Sequence, residues 1–308
     1  MSNSTSEGEG AFGEGPPEPT PSVFMMGAGV VGATLAARLA RAGVSVIGLH
    51  GRQVQPTRAI SGVVASTGDL PDVIKDADVV IIAVRDERIS EVAERLVDEQ
   101  RLSPRHILLH TAGMKAAASV LAVARPHVRA VGTLHPLVSF ADPRVAMEQM
   151  KDITFGVEGD EPARAAAQEL VRAMGARAVF LDGENLPLYH AGAVLASNYV
   201  VALVDLARRL LVTAGVPADE ALPALIPLLS SVVQNLATVG LPGALTGPVQ
   251  RGDVSSVEQH VRALEARAPE TLDLYRLLGR DVLRLARDKS NLDADTVERL
   301  EGLFATPR

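Results

Sequence analysis

Three glycines open the chemistry of this chain. Gly27, Gly29 and Gly32 occupy the first, third and sixth positions of a hexad, after the apolar run Val23-Phe24-Met25-Met26 and before the apolar-periodic stretch from Ala33 to Ala40. Strand, glycine-rich turn and helix in that order make a dinucleotide-binding fingerprint. Gly27 lets the chain turn sharply out of the strand, Gly29 has no side chain to obstruct a pyrophosphate, and Gly32 lets the helix pack closely on the strand. The helix N-terminus adds unpaired N–H groups and a partial positive charge. Ala28, Val30 and Val31 are expected to line the same cradle. His50, at the end of the second strand, and Val84 and Arg85, at the end of a later one, should join them.

The sugar end of such a site distinguishes the two nicotinamide dinucleotides. An NAD site places a carboxylate about 20 residues beyond the glycines, to hold the ribose hydroxyls. Here that region reads Leu49-His50-Gly51-Arg52-Gln53, with no acid. A carboxylate would repel a 2′-phosphate, whereas the planar fork of Arg52 suits one, with Arg58 as a helper. The expected cofactor is NADP.

Two histidine motifs end predicted strands, His110-Thr111-Ala112-Gly113 and His135-Pro136-Leu137-Val138-Ser139-Phe140. Hydride transfer to C=O or C=N needs a proton donor, or hydrogen-bond donors aimed at developing charge. His110, His135 and Ser139 can serve, and either histidine can instead tie loops to the backbone. A third group lies in Tyr189-His190-Ala191-Gly192-Ala193-Val194-Leu195-Ala196-Ser197-Asn198-Tyr199. On a continuous helix His190, Ser197 and Asn198 would share one face, two turns apart. Buried among small apolar residues, these polar groups either form an active-site face or a polar network.

Those residues need elements to hold them. Apolar runs at 44–49, 62–65, 79–84, 107–109, 130–134, 153–157 and 178–181 alternate with amphipathic segments, which predicts a doubly wound parallel sheet with ligands at the carboxyl ends of its strands. From about Gly183 the pattern turns helical throughout, with Asp253 and Asp293 as helix caps. Leu186 to Thr213 reads as one long helix, apolar nearly all round from Ala191 to Val204 and therefore expected to be buried. The expected organisation is a disordered tail over 1–21, a nucleotide-binding domain over 22–182 and an all-α domain over 183–308. The tail is Ser, Gly, Glu and Pro with a single Phe, and cannot bury enough apolar surface to offset ordering entropy.

Composition narrows the classes. The chain has 308 residues, is 47% hydrophobic and carries a net charge of −7, which suits sizeable cores and argues against tracking nucleic-acid phosphates. It has no cysteine, hence no disulfide framework or thiolate site, and its seven histidines lack the carboxylate spacing of a metal centre. A membrane span is not expected, because the best candidate, 191–204, is short of about 20 apolar residues and holds Ser197 and Asn198. The expected setting is the cytoplasm. A helix so apolar all round also predicts a homodimer with interlocked helical domains.

With these motifs in view, the chain resembles the bacterial "Rossmann-like plus DUF2520" proteins. The matching pieces are the fingerprint, His110-Thr111-Ala112-Gly113, Gly132-Thr133-Leu134-His135-Pro136-Leu137, the 189–199 segment and Leu245-Thr246-Gly247-Pro248. The resemblance implies a Rossmann-type domain followed by a helical one. It also implies distant kinship with 6-phosphogluconate/β-hydroxyacid dehydrogenases, pyrroline-5-carboxylate reductase, ketopantoate reductase and F420-dependent NADP oxidoreductases. In β-hydroxyacid dehydrogenases a Pro-Val-Ser-Gly-Gly loop holds substrate; Pro136-Leu137-Val138-Ser139 is similar, with Phe140 where a glycine would stand. Asn198 matches their helical Asn, but their Lys position is Val194, so His190 or His135 would have to supply the proton. The implied activity is NADP-dependent hydride transfer to a small carbonyl or imine between two domains, with Asn198 and Ser139 orienting the substrate. The alternative is an NADP(H)-binding sensor or scaffold without turnover.

Overall fold

The computed structural model describes residues 20–52, 63, 65–140, 150 and 152–305. The expected tail over 1–21 lies almost wholly outside them, as does Arg58. The chain divides into two compact units, one reaching Val194 and the other beginning at Leu195.

The first unit is built on eight strands: β1 (Val23–Met26), β2 (Val46–His50), β3 (Ala65–Ser66), β4 (Val79–Ile82), β5 (Ile107–His110), β6 (Ala130–Pro136), β7 (Thr154–Gly159) and β8 (Arg177–Phe180). Their spatial order is β3-β2-β1-β4-β5-β6-β7-β8, so the order reverses between β1 and β4. That reversal is the switch point at which doubly wound sheets bind ligands. Strand residues alternate between two cores. Val23, Met25, Val79, Ile81, Ile107 and Leu109 pack on one face, with α1 (Val30–Arg41) and the helix Glu161–Ala173. Phe24, Met26, Val80, Ile82 and Leu108 pack on the other, with the helix Ile89–Asp98. Apolar side chains on both faces explain why these strands read as continuous apolar runs.

Two strands, β7 and β8, depart from the all-parallel expectation. β7 runs antiparallel to β6, pairing His135 with Gly156. It starts beside the end of β6, where the Leu137 N–H reaches the Thr154 carbonyl at 2.9 Å, and so has to run back along it. β8 is parallel to β7. An apolar run alone does not encode strand direction.

The second unit is helical. Small cores join Val249, Val254, Val257, Leu283, Leu300 and Phe304, and separately Val261, Leu264 and Leu272. Asp253 caps Val254–Arg267 through Ser256 N–H at 3.1 Å, and Asp293 caps Ala294–Phe304 through Thr296 N–H at 2.8 Å.

Two helical expectations are corrected. The stretch from Leu186 is not one helix: it is Leu186–Ala196 and Asn198–Ala214, broken at Ser197, whose φ of −126° and ψ of −79° are not helical. Ser and Asn side chains bond locally and compete with helical backbone pairing, and here Ser197 Oγ donates to Asn198 Oδ1. Nor is the stretch buried. Leu195, Tyr199 and Val201 are 59%, 56% and 71% exposed, and Ala218–Gly243 exposes Val233 and Val239 as well. The segments Gly183–Ala214 and Ala218–Arg251 are also long and apolar enough to cross a membrane, judged by length and composition alone, contrary to the sequence estimate.

Candidate active site

A cavity of about 1090 Å³ follows the carboxyl edge of the sheet in the first unit, from the β2 end at His50 past β1 and β4 to the β6 end at His135. Its fingerprint side is shaped by backbone. Gly27 has φ of +128°, and a Cβ there would lie 2.1 Å from the Ala83 carbonyl oxygen. Gly32 sits so close to the β1 turn that a Cβ would come within 1.9 Å of the Gly27 oxygen. Gly29 is different, because a Cβ there would meet nothing within 4 Å. The space in front of Gly29, the N-cap of α1, is therefore open, and the first-turn N–H groups of a 12-residue helix face it without a side-chain cap. This is a cradle that fits a pyrophosphate.

Gly27, Ala28, Gly29, Val30, Val31, His50, Arg52, Val84 and Arg85 all line the cavity. Gly32 lies behind it, in the helix–strand contact. His50 Nδ1 is 3.0 Å from Ser66 Oγ, and burial, then the Arg95 charge, lowers its pKa. Arg52 is exposed and, like Arg85, forms no ion pair among the described residues. Arg88 and Arg95 line the cavity too, but are tied to Glu91 at 2.6 Å and to Glu99 at 2.7 Å. Sequence reasoning passed over this pair. Their seven-residue spacing, with Glu91 and Val92 between them on the same wall, was the available signal.

The β6 side is shaped by side chains. His110 and His135 have opposite situations. His110 is fully buried, and both its ring nitrogens are occupied: Nδ1 accepts the Ala112 N–H at 3.2 Å, and Nε2 lies 3.1 Å from Thr133 Oγ1. Thr133 in turn donates to Glu158 Oε2 at 3.0 Å, which also accepts the Ala117 N–H at 3.0 Å. With Nδ1 accepting, the proton sits on Nε2, and the chain of bonds closes on a buried carboxylate. Of the two roles open to His110, the geometry gives the structural one: it ties β5, β6 and β7 together.

His135 lines the cavity. Its Nδ1 is 3.0 Å from the Tyr189 hydroxyl, and its ring meets those of Tyr189 and His190 edge-on at 5.6 and 5.9 Å. The Nε2 edge lies over Gly113, where a Cβ would come within 2.7 Å of it. Among the described residues Nε2 has no hydrogen-bond partner. Burial, reinforced by His190, lowers the His135 pKa to about 4; burial with His135 nearby does the same for His110. Both rings are therefore neutral near pH 7. His190 Nδ1 is buried and has no hydrogen-bond partner among the described residues.

Two further predicted site residues remain. Ser139 is exposed and does not line the cavity, though Val138 and Phe140 do. Asn198 belongs to the second unit, is exposed, and follows the break at Ser197, so it shares no continuous helix face with His190. Tyr189, quoted in the motif but given no role from sequence, is the residue that touches His135. No cluster of three or more candidate metal ligands occurs among the described residues.

The fold defines a Rossmann-type unit followed by a helical unit. More particularly, residues 22–113 match the family described as NADP oxidoreductase coenzyme F420-dependent, and residues 153–282 match the domain of unknown function DUF2520. The chain combines these two segments in that order, the combination its motifs resemble. No curated protein matches. A solved structure of a protein from Thermotoga maritima is 24% identical, with a TM-score of 0.67, covering 87% of this chain and 99% of that one. A candidate NADP oxidoreductase from Bacteroides fragilis is 23% identical, with a TM-score of 0.65, covering 86% and 98%. A Plasmodium falciparum pyrroline carboxylate reductase solved with NADP bound is 11% identical, with a TM-score of 0.58, covering 93% and 99%. At these identities the likeness concerns the fold.

Proposed function

We propose that the chain is a cytoplasmic NADP-dependent oxidoreductase acting on a small carbonyl or imine. The observation that carries this reading is the neutral His135, which lines one side of a cavity whose other side is a phosphate cradle. Gly29 and the α1 N-terminus would hold the pyrophosphate, and Arg52 the 2′-phosphate. Bound NADPH supplies a hydride to the carbon of a C=O or C=N bond. His135, neutral near pH 7, donates a hydrogen bond from Nε2–H to the oxygen or nitrogen on which negative charge builds. Solvent supplies the last proton of the alcohol or amine.

His135→Gln tests this. NADPH affinity and melting should be kept, because the residue is outside the phosphate cradle, while turnover falls about 10²–10⁴-fold. NADPH binding without oxidation across a panel of ketones and cyclic imines would overturn it in favour of the sensor reading, which Val194 in place of the expected Lys supports.

We also propose that two copies pair through Asn198–Ala214 and Ala218–Gly243. Their exposed apolar residues call for a partner, and Asp205, ion-paired with Arg208 and Arg209 midway along the first of these helices, suits a protein partner better than lipid. Light scattering should give a dimer mass at micromolar concentration. A monomer, or sedimentation with neutral phospholipid vesicles, defeats the proposal.

A further inference from the structure

We propose that Tyr189 is a positioning residue for His135: its phenolic O–H donates to Nδ1 and so fixes the imidazole proton on Nε2. The claim rests on the oxidoreductase reading for its purpose, but not for its geometry. A neutral imidazole carries one ring proton, and the bond made by one nitrogen decides where that proton sits. At 3.0 Å, the Tyr189–His135 contact admits either direction.

Two features on the Tyr189 side choose between them. The phenol keeps its proton, because burial raises its pKa beyond what the opposing Gly156 backbone amide can offset. If His135 Nδ1–H were the donor, that O–H would need another acceptor, and the described residues around Tyr189 provide none. With Tyr189 donating, the Gly156 amide faces its oxygen and Nδ1 accepts its hydrogen bond. The half-buried phenol is then satisfied in both directions.

Space has been cleared on both sides of the pair. A Cβ at Gly156, the residue opposite His135 in the β6–β7 ladder, would stand 2.7 Å from the Tyr189 hydroxyl. A Cβ at Gly113 would stand 2.7 Å from Nε2 and Cε1 of His135. Neither glycine belongs to the phosphate fingerprint. One makes room for the hydroxyl to reach Nδ1, and the other for the opposite edge of the ring to pack against the backbone. The T-shaped packing of His135 between Tyr189 and His190 then holds the ring plane.

Long-range proton–nitrogen spectra of the full chain, labelled with 15N-histidine and assigned with His135→Gln, test the inference without a substrate. The expected spectrum shows His135 protonated on Nε2 with Nδ1 a bare acceptor. In Tyr189→Phe, with unchanged NADPH affinity, the proton should distribute over both nitrogens. Where a substrate is turned over, kcat should fall about tenfold to a hundredfold with KM nearly unchanged. An Nδ1–H tautomer in the unmodified protein overturns the proposal whether or not the variant folds, as does an unaltered Nε2–H signal in Tyr189→Phe. Absence of turnover with every carbonyl and imine would sink the oxidoreductase reading and leave the tautomer assignment standing.

Discussion

The two sides of the cavity are made of different material. The fingerprint side is almost all backbone: a carbonyl packed against Gly27, free N–H groups at the start of α1, and an empty volume where Gly29 has no side chain. The β6 side presents the His135 side chain, which is backed outside the cavity lining by Tyr189 and His190 from the helix Leu186–Ala196 and by Gly113. A backbone site depends on glycine at fixed spacing and tolerates many neighbours. A side-chain site depends on elements far apart in sequence meeting at one place. Substitutions should therefore act differently on the two sides.

Gly27→Ala gives the largest effect. A methyl group at φ +128°, 2.1 Å from the Ala83 oxygen, forces β1 and β4 apart at the switch point. The cost should be roughly 2–5 kcal/mol, the sum of a disfavoured backbone conformation and overpacking. Gly29→Ala is the contrast, because its methyl group meets no protein atom within 4 Å. Its melting temperature should be unchanged while NADPH binding weakens, since the methyl group enters the volume assigned to the pyrophosphate. Comparable melts for the two variants would show that the turn is not built as described.

The same contrast sets what could be read from sequence. The fingerprint, the alternation that gives the sheet, and the caps Asp253 and Asp293 were legible because each is local: a spacing, a period, or a side chain bonded three residues on. The antiparallel β7, the break at Ser197 and the Tyr189–His135 contact were not. Strand direction leaves no trace in an apolar run, and one Ser-Asn pair in an apolar stretch gives a weak helix-stop signal. His135 and Tyr189 are 54 residues apart and meet only once β6 and the helix Leu186–Ala196 are in place. His110 shows a choice the sequence left open. It sits at a strand end, as a site residue should, but its bonds to Ala112 and Thr133 use both ring nitrogens.

Acidification should expose this buried histidine pair next. The His110 pKa falls from 6.5 to about 4 on burial, so the unfolded chain binds more protons than the native one between those values. Stability is then fully present above pH 6.5 and is lost as pH falls toward 4, by up to about 3 kcal/mol for His110. His135, lowered to about 4 as well, acts in the same direction. His110→Asn should be less stable at pH 7, because it strands Thr133 and the Ala112 N–H, yet should lose less on acidification. Urea melts at pH 7, 5.5 and 4.5 measure both quantities. Parallel pH slopes for the variant and the parent would place the lost protons elsewhere.

Arg52 carries the smallest effect and the sharpest test of which cofactor the backbone side accepts. Backbone N–H groups treat the pyrophosphates of NADPH and NADH alike, so any preference has to come from a side chain near the ribose. Of the four arginines lining the cavity, Arg88 and Arg95 are held by Glu91 and Glu99, which leaves Arg52 and Arg85. Only Arg52 follows β2, where a 2′-phosphate would lie. Arg52→Ala should weaken NADPH binding by about tenfold to a hundredfold, matching the roughly 1.5–3 kcal/mol of a charge-assisted contact. NADH binding should hardly change, because it has no 2′-phosphate to lose. Raising the salt concentration should narrow the gap, since an exposed ion pair is screened. Equal losses for both cofactors in a calorimetric titration would take the 2′-phosphate away from Arg52. A loss confined to NADPH in Arg85→Ala instead would move it to the end of β4.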